Sequence, residues 1–368
     1  MNFDKLNARG VINEGNLTRF QRVMEMAINQ EPLTIGFIGG SITQGSLSSK
    51  PSTCYAYRVF EWWEKKFHHK FNYVNAGIGA TTSQFGLARL DSDLLSFEPD
   101  VVFLEFSVND EDTEKFAQTF EGCVRKILSS KKEPALFMFN NVQYDTGINT
   151  QRIHNEIGMH YDLPIVSMKE SIYQALVDGE IEIRDITPDN LHPNDAGHEL
   201  VAGVIINLLE VIYHKITASK LMSEYVIPEP FHKKDYGNYK RYNNKNSTPV
   251  IQGFEKDEAV QDHITDIFKN GWTASKIGSS ISFEFEGDKI AVQYRKSIHQ
   301  PAPLARAVID DKQSQAVVLD ANFTETWGDK LELQDVFCDK EGKHTLTITI
   351  IEASENLASD FYLAAVIY

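Results

Sequence analysis

The residues of this chain best suited to chemistry are a serine, a histidine and an aspartate, each in a telling setting. Ser41 lies in FIGGSITQG (37–45), where an apolar run ends and a glycine-rich turn begins. A serine hydroxyl is a poor nucleophile until a base takes its proton, so it needs a histidine within hydrogen-bond reach. His192 is the candidate base. It stands in PDNLHPNDAGH (188–198), with Pro193 fixing the backbone just after it and Asp189 three residues earlier. Asp189 is placed to hold the other ring nitrogen and so set tautomer and orientation. Acyl transfer also needs donors aimed at the developing oxyanion, each worth roughly 2.7–4 kcal/mol in the transition state. Gly79 in NAGIGATTS (75–83) offers an amide that no side chain shields, and Asn109 in EFSVND (105–110) offers a side-chain amide. Taken singly these are a glycine-rich turn, a surface-loop histidine, a loop glycine and a turn asparagine. Taken in this order, the four segments point to a serine esterase.

Other chemistries fit less well. GGSITQG is neither G-x-G-x-x-G nor a P-loop with its lysine, and it is not the G-x-S-x-G elbow. Asp189, His192, Asp195 and His198 could be grouped as metal ligands, but their spacing matches no metal motif, so neither metal nor cofactor is expected. His198 is expected to pack or cap on the final helix. His68 and His69 end an amphipathic segment, where a cation offsets the helix dipole.

The elements that must position these residues alternate between helix and strand. Apolar runs at 33–39, 71–76, 101–106, 135–140 and 164–167 are separated by amphipathic segments near 54–68, 83–96, 114–130, 149–161 and 168–177. A further helix is expected over 195–213, and apolar residues from Leu17 to Ile28 recur at helical spacing. Near-continuous apolar strands divided by helices indicate a parallel sheet buried on both faces, hence a three-layer α/β/α sandwich with five strands in flavodoxin-like order. Such sheets place their sites at the C-terminal strand ends, where Ser41, Gly79 and Asn109 follow the first three strands.

The pattern changes after residue 214. Residues 215–250 are polar, rich in Tyr, Asn and Lys, and read as a linker packed across a junction between a first domain (1–214) and a second (251–368). In the second domain the period becomes two, at 280–287, 289–295, 304–310, 315–321, 344–351 and 361–368. Short strands divided by Gly, Asp and Asn turns indicate an antiparallel β-sandwich of jelly-roll type. Trp272 and Trp327 lie in turn-like polar contexts, where they could stack on sugars or simply join the core. Residues 294–306 form a Pro-containing loop that could lean over a site.

With 368 residues and a formal net charge of -16, the chain suits two domains and disfavours nucleic acid or anionic membrane as a partner. The N-terminus shows no basic and then apolar leader, and no apolar run is expected to reach the roughly 18 residues of a spanning helix. Cys54, Cys123 and Cys338, odd in number and widely spaced, suggest reduced thiols and a cytoplasmic protein.

The four segments resemble the blocks of the SGNH hydrolase superfamily, the GDSL esterases and lipases, from about 33 to 213. The resemblance implies Ser41 as nucleophile and first oxyanion amide, Gly79 and Asn109 as further donors, His192 as base and Asp189 as its orienting partner. It departs from the family at Gly40, where the first block usually carries aspartate, and in reading SVND at the asparagine block. An added β-sandwich resembles the arrangement of carbohydrate esterases. The implied substrate is a small-molecule or oligosaccharide ester with a short acyl group, acetyl foremost. An acyl-thioesterase or lysophospholipase, transfer to a sugar instead of water, and a catalytically silent carbohydrate-binding protein are the alternatives.

Overall fold

Strands that read as apolar from end to end become the centre of a sheet covered on both sides. The computed structural model describes residues 3–218, 224–233, 239–353 and 356–368. It divides into two units, Met1–Gly237 and Asn238–Tyr368. In the first, β1 (Val11–Asn13) precedes β2 (Thr34–Gly39), β3 (Asn72–Gly77), β4 (Val101–Glu105), β5 (Ala135–Asn140) and β6 (Ile165–Ser167). The last five are parallel in the order β3-β2-β4-β5-β6, the flavodoxin-like order expected. Every residue of β2, β4, β5 and β6 is buried, whereas the edge strand β3 is buried only at Ala76 and Gly77. The sheet has a sixth strand that the sequence reading missed: β1 pairs antiparallel with β6. Three residues are too few to show a period.

The helices are α1 (Phe3–Arg9), α2 (Thr18–Ile28), α3 (Ser41–Gln44), α4 (Tyr55–Phe67), α5 (Ser83–Asp93), α6 (Glu114–Leu128), α7 (Gln151–His160) and α8 (Asp195–Ala218), besides shorter turns. α1, α2 and α4 pack with α8 in one layer, and α5, α6 and α7 pack together in the other. By length and composition α8 could cross a membrane, contrary to the sequence reading. In this fold its Leu200, Val201, Val204, Ile205, Leu208, Leu209 and Ile212 are buried in the core, each such side chain contributing about 1.5–3 kcal/mol.

The segment read as a linker contributes to both units where it is described; residues 219–223 and 234–238 lie outside the described residues. Residues 215–218 complete α8. Residues 224–233 lie along α6 and α7: Tyr225 donates to Tyr161 O at 2.6 Å, Arg125 donates to Pro228 O at 2.9 Å, and the amides of Phe231 and His232 donate to Glu121. In the second unit Lys240 pairs with Tyr368 through both backbone groups.

The second unit is antiparallel in all its strand pairs among the described residues. Its strands are β7 (Arg241–Tyr242), β8 (Val250–Gln252), β9 (Glu255–Lys256), β10 (Trp272–Ala274), β11 (Ser280–Lys296), β12 (Leu304–Ile309), β13 (Val317–Asp320), β14 (Lys330–Glu352) and β15 (Phe361–Ile367). The two short strands expected at 280–287 and 289–295 are one strand with a register shift at Gly287, and β14 is far longer than the 344–351 expected. β11 and β14 pair along nearly their whole length. The first half of β11 also pairs with β8 and its second half with β15, while the second half of β14 pairs with β12. All nine strands thus belong to one continuous sheet. Trp272 of β10 meets Phe283 of β11 edge-on in the core, ring centroids 5.4 Å apart.

Candidate active site

Ser41 is the first residue of α3, directly after β2, so the sheet delivers it to a helix N-terminus. Gly40, the residue before it, explains the departure from the usual aspartate: a Cβ there would lie 2.3 Å from Asn109 Oδ1. The Asn109 side chain therefore lies against the Ser41 turn in the space a side chain at 40 would need. Gly77 serves a similar close approach, since a Cβ there would meet the Gln44 amide nitrogen at 2.2 Å.

His192 is brought to Ser41 across 151 positions of sequence, its Nε2 2.8 Å from Ser41 Oγ. Its Nδ1 lies 2.6 Å from Asp189 Oδ2. The other carboxylate oxygen accepts the amides of His192 at 2.7 Å and Leu191 at 3.0 Å, and the Thr187 hydroxyl at 3.2 Å. Burial pushes the Asp189 carboxyl up, but the hydrogen bonds from the His192 ring and from these amides outweigh it and hold the group below the usual range. The carboxylate is then the acceptor for Nδ1–H, which leaves Nε2 to take the Ser41 proton. The loop owes its shape to local bonds: Tyr144 N donates to Asn190 O at 2.7 Å, and Asn194 Oδ1 accepts Ala196 N and Gly197 N at 3.0 Å, capping α8.

Gly79 is beside Ser41, where a Cβ on it would lie 3.8 Å from Ser41 Cβ. Its amide, however, donates to Gln44 Oε1 at 2.6 Å. The Gly79 amide, expected as an oxyanion donor, is thus held by the Gln44 side-chain carbonyl. The next residue, Ala80, sits in the left-handed region with φ 54, and its amide has no acceptor among the described residues.

Several supporting residues gave no signal in the sequence. Asp110, next to Asn109, accepts the Ser83 amide at 2.8 Å and meets His154 Nε2 at 3.2 Å, both side chains fully buried. Glu105 at the end of β4 is wholly buried, accepts Ser107 N and Oγ at 2.6 Å, and has its carboxyl pushed up by burial. Neither pairing has a sequence period or motif to announce it.

The alternative metal grouping does not form; no cluster able to hold a metal occurs among the described residues. Asp195 instead accepts Ser49 N and the hydroxyls of Ser49 and Thr53. His198 is buried, accepts Tyr55 N at 3.3 Å and lies 3.2 Å from Ser46 O through Nε2. His68 adopts the left-handed C-cap of α4. Trp272 is a core residue, whereas Trp327 is 60% exposed. Cys54 and Cys123 are buried and Cys338 half-buried, no disulfide joins them among the described residues, and burial pushes the Cys54 thiol up to about 11.

Residues 37–200 match the model of the GDSL-like lipase/acylhydrolase family. Two crystal structures of a two-domain esterase active on acetylated mannans are similar to nearly the whole chain. The one co-crystallised with mannopentaose is 51% identical, covers 98% of this chain and 97% of its own, and has a TM-score of 0.94. The other is 50% identical with the same coverage and TM-score 0.94. No match was found among curated protein sequences.

Proposed function

The chain belongs to the GDSL-like lipase/acylhydrolase family and is an esterase, and from that premise we propose that it removes acetyl groups from a mannan-type oligosaccharide by a Ser41–His192–Asp189 acyl-enzyme route. The observation that carries this reading is the unbroken relay Ser41 Oγ–His192–Asp189, with separations of 2.8 and 2.6 Å. The substrate class rests on the likeness to the acetylated-mannan esterase at 51% identity over both units.

The steps follow from the geometry. Ser41 Oγ attacks the ester carbonyl as its proton passes to His192 Nε2, and Asp189 stabilises the imidazolium through Nδ1–H. The oxyanion is met by the Ser41 amide at the start of α3, by Asn109 Nδ2, and by the Gly79–Ala80 turn. The turn's donor is the Gly79 amide, which Gln44 Oε1 holds at 2.6 Å and yields to the oxyanion. The imidazolium then protonates the departing sugar hydroxyl. His192 next takes a proton from water, whose oxygen attacks the acetyl-Ser41 ester, and acetate leaves as Ser41 recovers its proton.

The decisive assay compares the protein with Ser41→Ala on p-nitrophenyl acetate, p-nitrophenyl octanoate and acetylated manno-oligosaccharides. The variant is expected to lose about 10³-fold or more in kcat, with acetyl esters preferred. Equal background rates for both proteins would end the acyl-enzyme reading, and preference for octanoate or acyl-CoA would move the substrate toward lipids and thioesters.

A further inference from the structure

A single guanidinium underlies both turns that flank the candidate nucleophile. We propose that Arg89 is a positioning residue for the acyl-transfer reaction, holding the Ser41 turn and the Gly79–Ala80 turn in register from beneath. The inference rests on the Ser41 reading above.

Arg89 lies on α5 and is 1% exposed. A cation so deeply buried is costly unless it is well paired. Its Nη1 donates to Ala76 O at 2.7 Å and approaches Asp93 Oδ2 at 3.3 Å, while Nη2 donates to Gly39 O at 3.2 Å. Gly39 is two positions before Ser41, and Ala76 three before Gly79. The two acceptors are thus the last carbonyl of β2 and the penultimate carbonyl of β3, adjacent parallel strands, close to where the two turns leave the sheet.

The placement matters because the β2–β3 ladder ends here. Gly39 faces Gly77 in its last rung, and beyond it Ile78 N donates to Gly39 O at 3.1 Å. Two side-chain bonds tie the turns further out: Asn75 Nδ2 donates to Thr43 O at 2.7 Å, and Gly79 N to Gln44 Oε1 at 2.6 Å. Arg89 supplies the inner tie with a rigid fork that reaches both strands at once, which the single nitrogen of lysine cannot reproduce in the same geometry. The helix that carries it also begins beside the third donor, since Ser83 N donates to Asp110, the neighbour of Asn109, at 2.8 Å. α5 therefore touches the support of the nucleophile and of both neighbouring donors, and Arg89 is its contact with the first two.

A shift of about 1 Å between nucleophile and oxyanion donors can cost about 10²-fold in rate. The test is turnover per intact site. The full chain, Arg89→Met and Arg89→Lys are labelled to completion with a fluorophosphonate to count reactive Ser41, and kcat and KM on p-nitrophenyl acetate are measured on the same preparations. Arg89→Met is expected to lose about 10²-fold in kcat per labelled site with KM nearly unchanged, and Arg89→Lys to recover part of it. Unchanged kcat per labelled site, with only fewer sites or a lower Tm, would mean that Arg89 merely stabilises α5 and would overturn the proposal. Should Arg89→Met not fold, the same ratio measured on Arg89→Lys decides. Failure of the unaltered protein to label at Ser41 would instead overturn the esterase mechanism, a separate outcome.

Discussion

The two units of this chain use their strand ends in opposite ways. In the first, five parallel strands all deliver their C-terminal ends to one edge, so Ser41 after β2, the Gly79 turn after β3 and Asn109 after β4 are gathered by topology alone. In the second, antiparallel strands send successive turns to opposite edges, and its polar clusters are scattered: Asp310 with His344, Asn322 with Ala302, Asp257 with Tyr362. A parallel sheet turns an ordered set of short motifs into a site. An antiparallel one does not, and its function has to be sought in exposed surface instead.

The sharpest way to break that contrast, after the Ser41 and Arg89 variants, is to attack the gathered edge from both sides of one contact. Asn109→Ala removes the proposed oxyanion donor, and kcat should fall about 10²–10³-fold with KM little changed. Gly40→Ala puts a Cβ where Asn109 Oδ1 now lies, 2.3 Å away, and should push the same amide out of place, lowering kcat in the same sense. If Gly40→Ala keeps full activity in steady-state assays, the Asn109 amide is not fixed by this contact.

The parallel edge was also the most legible part of the sequence, and for a physical reason. Strands buried on both faces must be continuously apolar, so the runs at 33–39, 101–106 and 135–140 lie within a residue of β2, β4 and β5. The histidine and its aspartate are three positions apart, and their bond is local. What stayed hidden depends on partners far along the chain. Nothing in SQFGLARL says that Arg89 will end beneath Gly39, or that the Gln44 carbonyl will capture the Gly79 amide. In the second unit, alternation marked the strands but not their bend: Gly287 reads as a turn, yet the strand continues through it with only a register shift.

A smaller effect separates the units by pH. Burial moves His198 of the first unit down to about 4 from its ordinary 6.5. The unfolded chain then takes a proton near pH 6.5 that the folded one refuses until about pH 4, so stability is lost as pH falls through that window. The loss from pH 7 to pH 5 is about 2 kcal/mol. His344 of the second unit has the opposite sign. Its bond to Asp310 raises its pKa, so its contribution is present in acid and lost as pH rises. Thermal unfolding of the full chain followed by tryptophan fluorescence, which reports mainly Trp62 and Trp63 in one unit and Trp272 and Trp327 in the other, should show the first unit weakened at pH 5. His198→Gln should flatten that dependence. An unaltered slope in the variant would assign the acid sensitivity elsewhere.

The smallest expected effect tests what the second unit contributes. Trp327 presents most of its surface to solvent, with Phe323 standing edge-on at 5.1 Å. The loop beneath is tied down: Phe323 N donates to Ser297 O at 3.0 Å, the Gln300 amide donates to Phe323 O, and Asn322 and Ala302 exchange bonds at 2.9 and 3.1 Å. A fixed aromatic face loses little entropy when a sugar ring stacks on it, so a contribution of ~1 kcal/mol, about fivefold in affinity, is expected. Calorimetry of mannopentaose binding to the full chain carrying Ser41→Ala, with and without Trp327→Ala, measures it directly. A fivefold loss, with p-nitrophenyl acetate turnover unaltered when Trp327→Ala is made alone, would give the antiparallel unit a role in holding the glycan, separate from the ester chemistry proposed for the gathered edge. Identical affinities would leave Trp327 as exposed surface, and the difference between the units would then be one of chemistry against none at this face.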